Sequence, residues 1–549
     1  MTEPVALRNV TLGRMLDETV ARHADREALV YVDRNYRMTW RQLGEQVDRL
    51  ARGLMAMGVQ KGEKVAIWAT NVPDWVLLMF ASAKIGAVLL TVNTQYRRTE
   101  IAYVLGQSET ENIFLIDGFR DIDYVSTVYD VVPELREHPR GHLKSERFPS
   151  LKRVFFIGQE KHRGMYSMPE LLAMAALTSP ADYATRQASL SPGDVVNMQY
   201  TSGTTGFPKA VMLTHHNIGN NGFWIGENQR ITHEDRVCIP VPLFHCFGCV
   251  LCVTSCVAHG ATMVLLETFD PLLVMASVHK ERCTAINGVP TMFIAILDHP
   301  MFEQFDFSTL RTGIMAGSPC PIHTMQQVID RMHARELTIC YGLTEASPVM
   351  SQTRTDEDIV HKCETVGRAM PAIEVRVIDP ETGVEQPAGV AGEVVCRGYN
   401  VMKGYYNMPD ATAAAIDGDG WLHSGDLGTM DADGYLRIAG RLKDIIIRGG
   451  ENISPMEIEE FLRRMPGVRD VQVVGVPSRK FGEDVAAFII PREGGTLTED
   501  DVKDHCRGQI ARFKIPAHVA FVEQFPLTAS GKVQKYKLRE EAAARWPDE

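Results

Sequence analysis

From Tyr200 to Lys209 the chain reads YTSGTTGFPK. Seven of the ten residues in this stretch (Thr201, Ser202, Gly203, Thr204, Thr205, Gly206 and Lys209) are glycine, serine, threonine or lysine, and Phe207 and Pro208 lie among them. Apolar, strand-like runs flank it, with Val195, Val196 and Met198 before and Ala210 to Leu213 after. Hydroxyls and unhindered backbone N–H groups at this density suit the wrapping of a polyphosphate. Glycine lets the backbone approach with φ > 0, hydroxyls donate to phosphate oxygens, and one lysine supplies charge. The spacing is not the common P-loop, G-x-x-x-x-G-K-[S/T], because two residues separate Gly203 from Gly206 and Ala210 follows Lys209. A flexible polar linker is the plainer reading of such clusters. The Pro208-Lys209 ending and the flanking runs oppose it.

Outward from this loop, 549 residues are too many for one hydrophobic core, so roughly two to four compact units are expected. A hydrophobic content of 45% with 23% charged residues is that of an ordinary soluble protein. The net charge of −12 opposes a nucleic-acid-binding surface, whose footprint is basic. It does not oppose an anionic small molecule, since a local field near a glycine loop can differ in sign from the whole. The N-terminus, MTEPVALRNV, lacks the basic and apolar regions of a signal peptide. The longest apolar stretch, Val76 to Leu90, contains Lys84, is too short to span a bilayer and reads as a buried helix. No integral membrane segment and a cytoplasmic location are expected, with the 11 cysteines reduced.

Cys246, Cys249, Cys252 and Cys256 have the spacing of a bacterial four-iron cluster loop. The proline expected after the last of them is Val257, no second cysteine-rich run exists, and Val250, Leu251 and Val253 between them are apolar. Spacings of three and four also describe one helix face. Free cysteine is commonly buried, so a buried helix face is the better reading.

Along the first third, Thr39 and Gln42 form a capping box ahead of Leu43, Val47, Leu50 and Leu54 at helical spacing. In the middle, strand-like Thr262–Leu266, Thr312–Ala316 and Leu337–Cys340 alternate with helical patterns such as Pro321–Met332. That alternation indicates α/β units with largely parallel sheets. From Ile373 to Arg397 short strands around the turn Asp379-Pro380-Glu381-Thr382-Gly383 suggest a small β subdomain. A boundary near Arg441–Lys443 gives a domain of residues 1–441 and a small, mobile α+β domain of residues 442–549. The latter opens with a helix capped by Ser454, Pro455 and Glu457, with Ile458, Phe461, Leu462 and Met465 on one face. Strands at Val471–Val476 and Val485–Ile490 and a helix around Asp501–Ile510 follow.

Four further segments recur in order: YGLTEASP (Tyr341–Pro348), GWLHSGDLG (Gly420–Gly428), GRLKDIIIRGGENISPMEIE (Gly440–Glu459) and SGKVQK (Ser530–Lys535). With YTSGTTGFPK they resemble the motifs of the adenylate-forming superfamily of acyl-CoA synthetases, luciferases and amino-acid adenylation domains, over nearly the whole chain. The resemblance implies ATP, Mg²⁺ and coenzyme A as cofactors or co-substrates and a small carboxylic acid as substrate, joined through an acyl-adenylate. It assigns Thr201 to Lys209 to the departing pyrophosphate, Tyr341 to stacking on adenine and Gly342 to close backbone approach. Gly317 and Ser318 fall on the adenine side, and Thr344 at the α-phosphate. Glu345, with Thr204, is the implied Mg²⁺ ligand, a hard oxygen donor suiting that ion. Asp426 and Arg441 are implied to grip the ribose hydroxyls, and Lys532 to bridge the substrate carboxylate and α-phosphate. Lys443 takes the hinge position, and Gly449, Gly450 and Glu451 would line the path of the pantetheine thiol. Arg512 and Lys514 are weaker candidates for the CoA phosphates.

His245, in PLFHCFG, fits the family position beside the acyl carboxylate, as a pocket wall rather than a general base. Its neighbour Cys246 is not expected to pair with it, because adjacent side chains in a strand or helix point apart. Cys246, Phe247, Gly288 and Val289 would form the acyl pocket, and none carries a charge. An uncharged pocket points to a fatty, alicyclic or aromatic acid, and PLFHCFG looks most like medium-chain acyl-CoA synthetases. The alternatives are an aryl or alicyclic acid–CoA ligase, luciferase-like oxidation of the adenylate, or a non-catalytic nucleotide-binding protein. A homodimer is compatible with the sequence.

Overall fold

The computed structural model describes residues 5–201, 208–318, 320–449, 451–492, 497–528 and 531–547, without the side chains of Lys443 and Asn452. The chain divides into two compact units. One comprises Met1–Cys363, Gly367–Glu374 and Cys396–Leu422; the other comprises Glu364–Val366, Val375–Val395 and His423–Glu549. Position 441/442 lies inside the second unit.

The first unit is built on two large sheets with parallel centres, as the α/β alternation predicts. In the first sheet Glu27–Tyr31, Thr262–Leu265, Arg236–Ile239, Ala285–Gly288, Thr312–Ala316 and Glu336–Gly342 run parallel. In the second, Tyr166–Ser167, Arg153–Phe156, Asn112–Leu115, Lys64–Trp68, Val88–Thr91 and Val195–Thr201 do the same. The second sheet turns antiparallel on one side, where Lys209–Thr214 pairs with Val195–Thr201, and the first on both, where Val349–Gln352 pairs with Glu336–Gly342 and Tyr36–Thr39 pairs with Glu27–Tyr31. Parallel strands need long crossovers, whereas antiparallel neighbours allow short turns. These antiparallel pairs are therefore joined by segments that are short in sequence.

The helix His215–Asn228 touches Lys209–Thr214 in one sheet and Val349–Gln352 in the other. Gly222 is why it can lie so close to the segment Phe247–His259, since a Cβ there would sit 2.7 Å from Thr254 Cγ2. The expected capping box is present. Thr39 Oγ1 accepts from Gln42 N at 3.3 Å and Gln42 Oε1 accepts from Thr39 N at 2.8 Å, opening the helix Trp40–Ala56. The Val76–Leu90 stretch is a buried helix only to Ile85. Gly86, at φ 75°, ends it, and Val88–Thr91 is a strand. Lys84 inside that helix is 1% exposed and is neutralised by Asp17 and Asp48, both at 2.5 Å. Removing one partner of such a pair costs more than the pair itself contributes.

In the second unit, the long antiparallel strands Val468–Ser478 and Gly482–Pro491 form the centre of an α+β core. The helix Pro455–Arg463 packs Ile458 and Leu462 on Val471, Val473 and Val485 on one side. Leu538 and Ala542 of the helix Lys535–Arg545 pack with Val474, Val476 and Phe488 on the other. The predicted cap of the first helix differs from the finding. The Ser454 hydroxyl caps no helix N–H and donates to the Ala439 carbonyl, while Glu457 pairs with Lys514 at 2.5 Å. Ser454 still occupies the N-cap ahead of Pro455, but the orientation that reaches Ala439 leaves its oxygen accepting from no helix N–H.

Candidate active site

In the first unit, four candidate positions follow the carboxyl ends of neighbouring parallel strands. His245 follows Arg236–Ile239, Gly288 closes Ala285–Gly288, Gly317 and Ser318 follow Thr312–Ala316, and Tyr341 and Gly342 close Glu336–Gly342. Register aligns these ends, Gly288 with Met315 and Ala316 with Cys340. Open parallel sheets bind ligands at this edge, where loops diverge.

After Gly342 the chain makes a single 3-10 turn, Thr344–Ala346, and returns as Val349–Gln352. The turn is tight enough that a Cβ on Gly342 would meet the Pro348 carbonyl oxygen at 1.8 Å. Asn221 clamps the returning strand, accepting from Val349 N at 3.1 Å and donating to Val349 O at 2.9 Å. The turn thereby buries Thr344 and Glu345, 8% and 9% exposed. Glu345 Oε1 accepts from the Tyr405 hydroxyl at 2.8 Å and from Thr201 Oγ1 at 3.3 Å. Burial, and then the adjacent carboxylate, push the Tyr405 phenol up, which keeps it a donor.

Thr201 is also the first residue of YTSGTTGFPK after its tyrosine, and it pairs across the hairpin with Lys209. Both anchors of the phosphate-type loop are thus fixed beside Glu345, with Lys209 Nζ 4.9 Å from the Tyr405 ring centre. Ser202, Gly203, Thr204, Thr205, Gly206 and Phe207 lie outside the described residues, as does Thr204 as an expected metal ligand.

His245 lies in a bend and Cys246 opens the helical segment after it, and the expectation that they point apart is overturned. Cys246 Sγ lies 3.5 Å from His245 Nδ1 and 3.6 Å from Thr344 Oγ1. Phe247 N also donates to His245 Nδ1 at 3.1 Å. That bond makes Nδ1 an acceptor and gives the ring the tautomer protonated at Nε2. The cysteine ladder that follows is helical and buried. Phe247–Thr254 is a π-helix continued by the α-helix Ser255–His259. Cys249 Sγ accepts from Gln199 and Cys252 Sγ from Asn287, at 3.3 and 3.5 Å. Burial pushes the Cys249 and Cys256 thiols up and that of Cys252 to about 12, away from the thiolate a metal needs. Val289 is 2% exposed and starts the helix Pro290–Leu297 beside Gly288.

The second unit holds the remaining candidates. Asp426 and Arg441 face each other across antiparallel strands, Arg441 Nε to Asp426 Oδ1 at 3.1 Å. Beneath them, buried Glu393 accepts from Gly425 N at 3.0 Å and meets His423 Nδ1 at 2.9 Å. Gly449 lies in the turn between Ile446–Arg448 and Glu451–Ile453, with its N–H on Phe481 O at 2.7 Å. Glu451 is exposed, Gly450 and the Lys443 side chain lie outside the described residues, and the Lys443 backbone is in the 3-10 turn Leu442–Asp444. Lys532 is held in a close loop, its N–H on Thr528 Oγ1 at 3.0 Å and its carbonyl on Thr528 N at 2.7 Å. Of the cations after it, Lys537 is exposed and two others are paired. Lys535 pairs with Glu459, itself 2% exposed, at 2.6 Å, and Arg539 pairs with Asp444.

Tyr405 and Asn221 were not legible as site residues. Their only signal is the short GYYN and HHNIGNNG runs (Gly404–Asn407, His215–Gly222), which carry no spacing rule.

A buried carboxylate beside the two anchors of a hydroxyl-rich stretch, at the carboxyl edge of a parallel sheet, defines a nucleotide-handling enzyme with a separate α+β unit. The chain belongs to the AMP-binding enzyme family: the model of that family matches residues 16–406, and that of the AMP-binding enzyme C-terminal domain matches residues 457–532. Among curated relatives it is 53% identical to YngI of Bacillus subtilis (strain 168), which carries a provisional acyl-CoA synthetase name, over 96% of each chain. It is 40% identical to the mitochondrial medium-chain acyl-CoA ligase ACSF2 of Rattus norvegicus, covering 97% of this chain and 88% of that one. Among solved structures, ATP-bound MatB from Rhodopseudomonas palustris superposes with a TM-score of 0.84 at 29% identity, over 97% of this chain and 99% of that one. These matches also carry the fold, a mixed α/β first part with a separate C-terminal α+β domain. Among the described residues no helix is long and apolar enough to cross a membrane.

Proposed function

We propose that this acyl-CoA ligase activates medium-chain fatty acids, forming an acyl-adenylate and then the CoA thioester with release of pyrophosphate and AMP. The observation that carries the reading is the convergence of Thr201, Lys209, Thr344 and Glu345 with the ends of four parallel strands.

A carboxylate is a poor acyl donor, so it is first joined to the α-phosphate of ATP. The protein then has to neutralise phosphates and steady charge at the α-phosphorus. The hairpin Thr201–Lys209 holds the β- and γ-phosphates, Tyr341 and Gly317–Ser318 bracket adenine, and Asp426 with Arg441 takes the ribose diol. Thr344 donates to the α-phosphate, and Lys532 bridges it to the acid's carboxylate. Glu345 suits Mg²⁺: it is a buried hard-oxygen donor whose Oε2 accepts no hydrogen bond among the described residues. Bound there together with Thr204, the ion would neutralise charge on the phosphates. Lys443 serves as the hinge of the domain from residue 442 on, and Gly449, Gly450 and Glu451 line the thiol's approach in the second half-reaction.

The acid is proposed from the pocket wall. Cys246, Phe247, Gly288, Val289 and the buried Phe247–Thr254 segment carry no charge, and ACSF2 is named for medium-chain acids. One methylene is worth only about 1–3 kcal/mol in such a pocket, so the preference is broad. A cytoplasmic, reducing location accords with the cysteines, none of which is joined to another in the described residues. The test is thioester formation by mass spectrometry with ATP, Mg²⁺, CoA and acids from acetate to stearate, plus benzoate and cyclohexanecarboxylate. Products centred on hexanoyl to dodecanoyl support the proposal. A ring-acid product replaces its substrate, and pyrophosphate release without thioester overturns the second step.

A further inference from the structure

Lys209 and Glu345 carry opposite charges at one site, yet among the described residues Lys209 makes no ion pair and Glu345 pairs with no cation. The hairpin places them within mutual reach. Lys209 is opposite Thr201 in register, and Thr201 Oγ1 already touches Glu345 Oε1 at 3.3 Å. What lies between is Tyr405. Its ring faces the Lys209 ammonium at 4.9 Å and its hydroxyl donates to Glu345 Oε1 at 2.8 Å.

The residue that carries the ring is fixed and buried. Tyr405 pairs with Val211 on the strand that begins with Lys209, its N–H donates to Thr412 Oγ1 at 2.9 Å, and it is 8% exposed. The backbone of Glu345 is tied to the same segment, its carbonyl accepting from Met402 N at 2.8 Å. A phenol so placed interacts favourably with both charges at once, the cation on its face and the carboxylate on its hydroxyl.

We propose that Tyr405 is a positioning residue that keeps Lys209 and Glu345 from pairing with each other, leaving the ammonium for phosphate and the carboxylate for the cation. The inference rests on the reading of Lys209 and Glu345 given above. Without the ring, the flexible lysine stem swings onto the carboxylate and each charge cancels the other. The hydroxyl has a second effect, fixing the carboxylate's orientation as outer partners of metal ligands do.

The experiment is calorimetric binding of ATP to the full-length protein, in EDTA and in saturating Mg²⁺, for wild type, Tyr405→Phe, Tyr405→Leu, Glu345→Gln and the Tyr405→Leu/Glu345→Gln double variant. Tyr405→Phe keeps the spacer, so metal-free affinity stays within about 2-fold while the advantage of MgATP falls about 5- to 10-fold. Tyr405→Leu loses about 10-fold in metal-free affinity as Lys209 is captured, and adding Glu345→Gln restores it to within about 3-fold. Failure of Glu345→Gln to rescue overturns the spacer role and leaves Tyr405 a packing residue. Unchanged binding in both tyrosine variants overturns it as well. If Glu345→Gln alone leaves the MgATP advantage intact, the metal-ligand reading of Glu345 falls, an outcome separate from either of these.

Discussion

Lys532 is presented by a loop closed on itself through Thr528 and followed at once by the helix Lys535–Arg545, so replacing its side chain leaves its mount intact. Lys532→Ala should cut acid-dependent ATP–pyrophosphate exchange by about 10²–10³, the usual cost of one preorganised charge stabiliser. Thioester formation from synthetic acyl-adenylate and CoA should stay within about 10-fold. Equal losses in both assays would show that Lys532 does not belong to the first step. His215 offers a residue-scale test of stability instead. Its Nδ1 accepts from Leu12 N at 3.1 Å, its buried Nε2 has no partner among the described residues, and burial pushes its pKa down to about 4. Protonation would set two donors face to face. Because the folded pKa lies below the unfolded one, near 6.5, the unfolded chain binds more protons between those values. The contribution is therefore complete above pH 6.5 and is lost as pH falls toward 4, on the order of 3 kcal/mol in all. Urea midpoints across that range should show the loss. His215→Asn, which keeps an acceptor that does not titrate there, should flatten it.

Between the helix His215–Asn228 and the π-helix Phe247–Thr254, close packing rests on a single absent methyl group. Gly222→Ala would bring a Cβ to 2.7 Å from Thr254 Cγ2 and 2.8 Å from Thr254 Cβ. Overpacking of about 1–3 kcal/mol should exceed the helix-propensity gain of about 1 kcal/mol, giving net destabilisation. Thr254→Ser removes Cγ2 and retains the hydroxyl that donates to Cys249 O, so the double variant should recover part of the loss in denaturant titration. Additive losses would mean the two helices do not meet through this contact. The elements legible in the sequence were those with local causes, such as the Thr39–Gln42 box and the strands around YTSGTTGFPK. The cysteine spacing disclosed a buried helix but not its π register, since both windings bury an all-apolar segment alike. Ser454 misled because its true partner, Ala439, is remote along the chain. Tyr405 was invisible for the same reason, being 60 residues from the carboxylate it holds. The motif glutamate could be located from Tyr341–Pro348, but not the network around it.

Across the whole molecule, the ordered motifs sufficed for the family and for an α/β body with an α+β tail. The grouping of residues 375–395 with the tail was not legible, because compactness is set by contacts distant in sequence. The segment joining the strands of Asp426 and Arg441 to the tail has its two ends tied differently. Arg441 is bound to Asp426, whereas Asp444 is bound to Arg539 of the C-terminal helix. Only Leu442 and Lys443 separate these anchors, so a rotation of the tail about the Arg441–Asp426 pair must be absorbed in their backbone dihedrals. Lys443→Pro locks φ near −65° and removes an N–H, without touching either anchor. If the two half-reactions need two orientations of the tail, that substitution should spare the one served by the existing backbone. One half-reaction should then persist within about 10-fold while the other falls by at least about 10², as expected when a hinge gates one step. Single-turnover measurement of each step decides it. Equal loss in both would mean that residue 443 supports a fixed tail, and that one orientation serves the whole reaction.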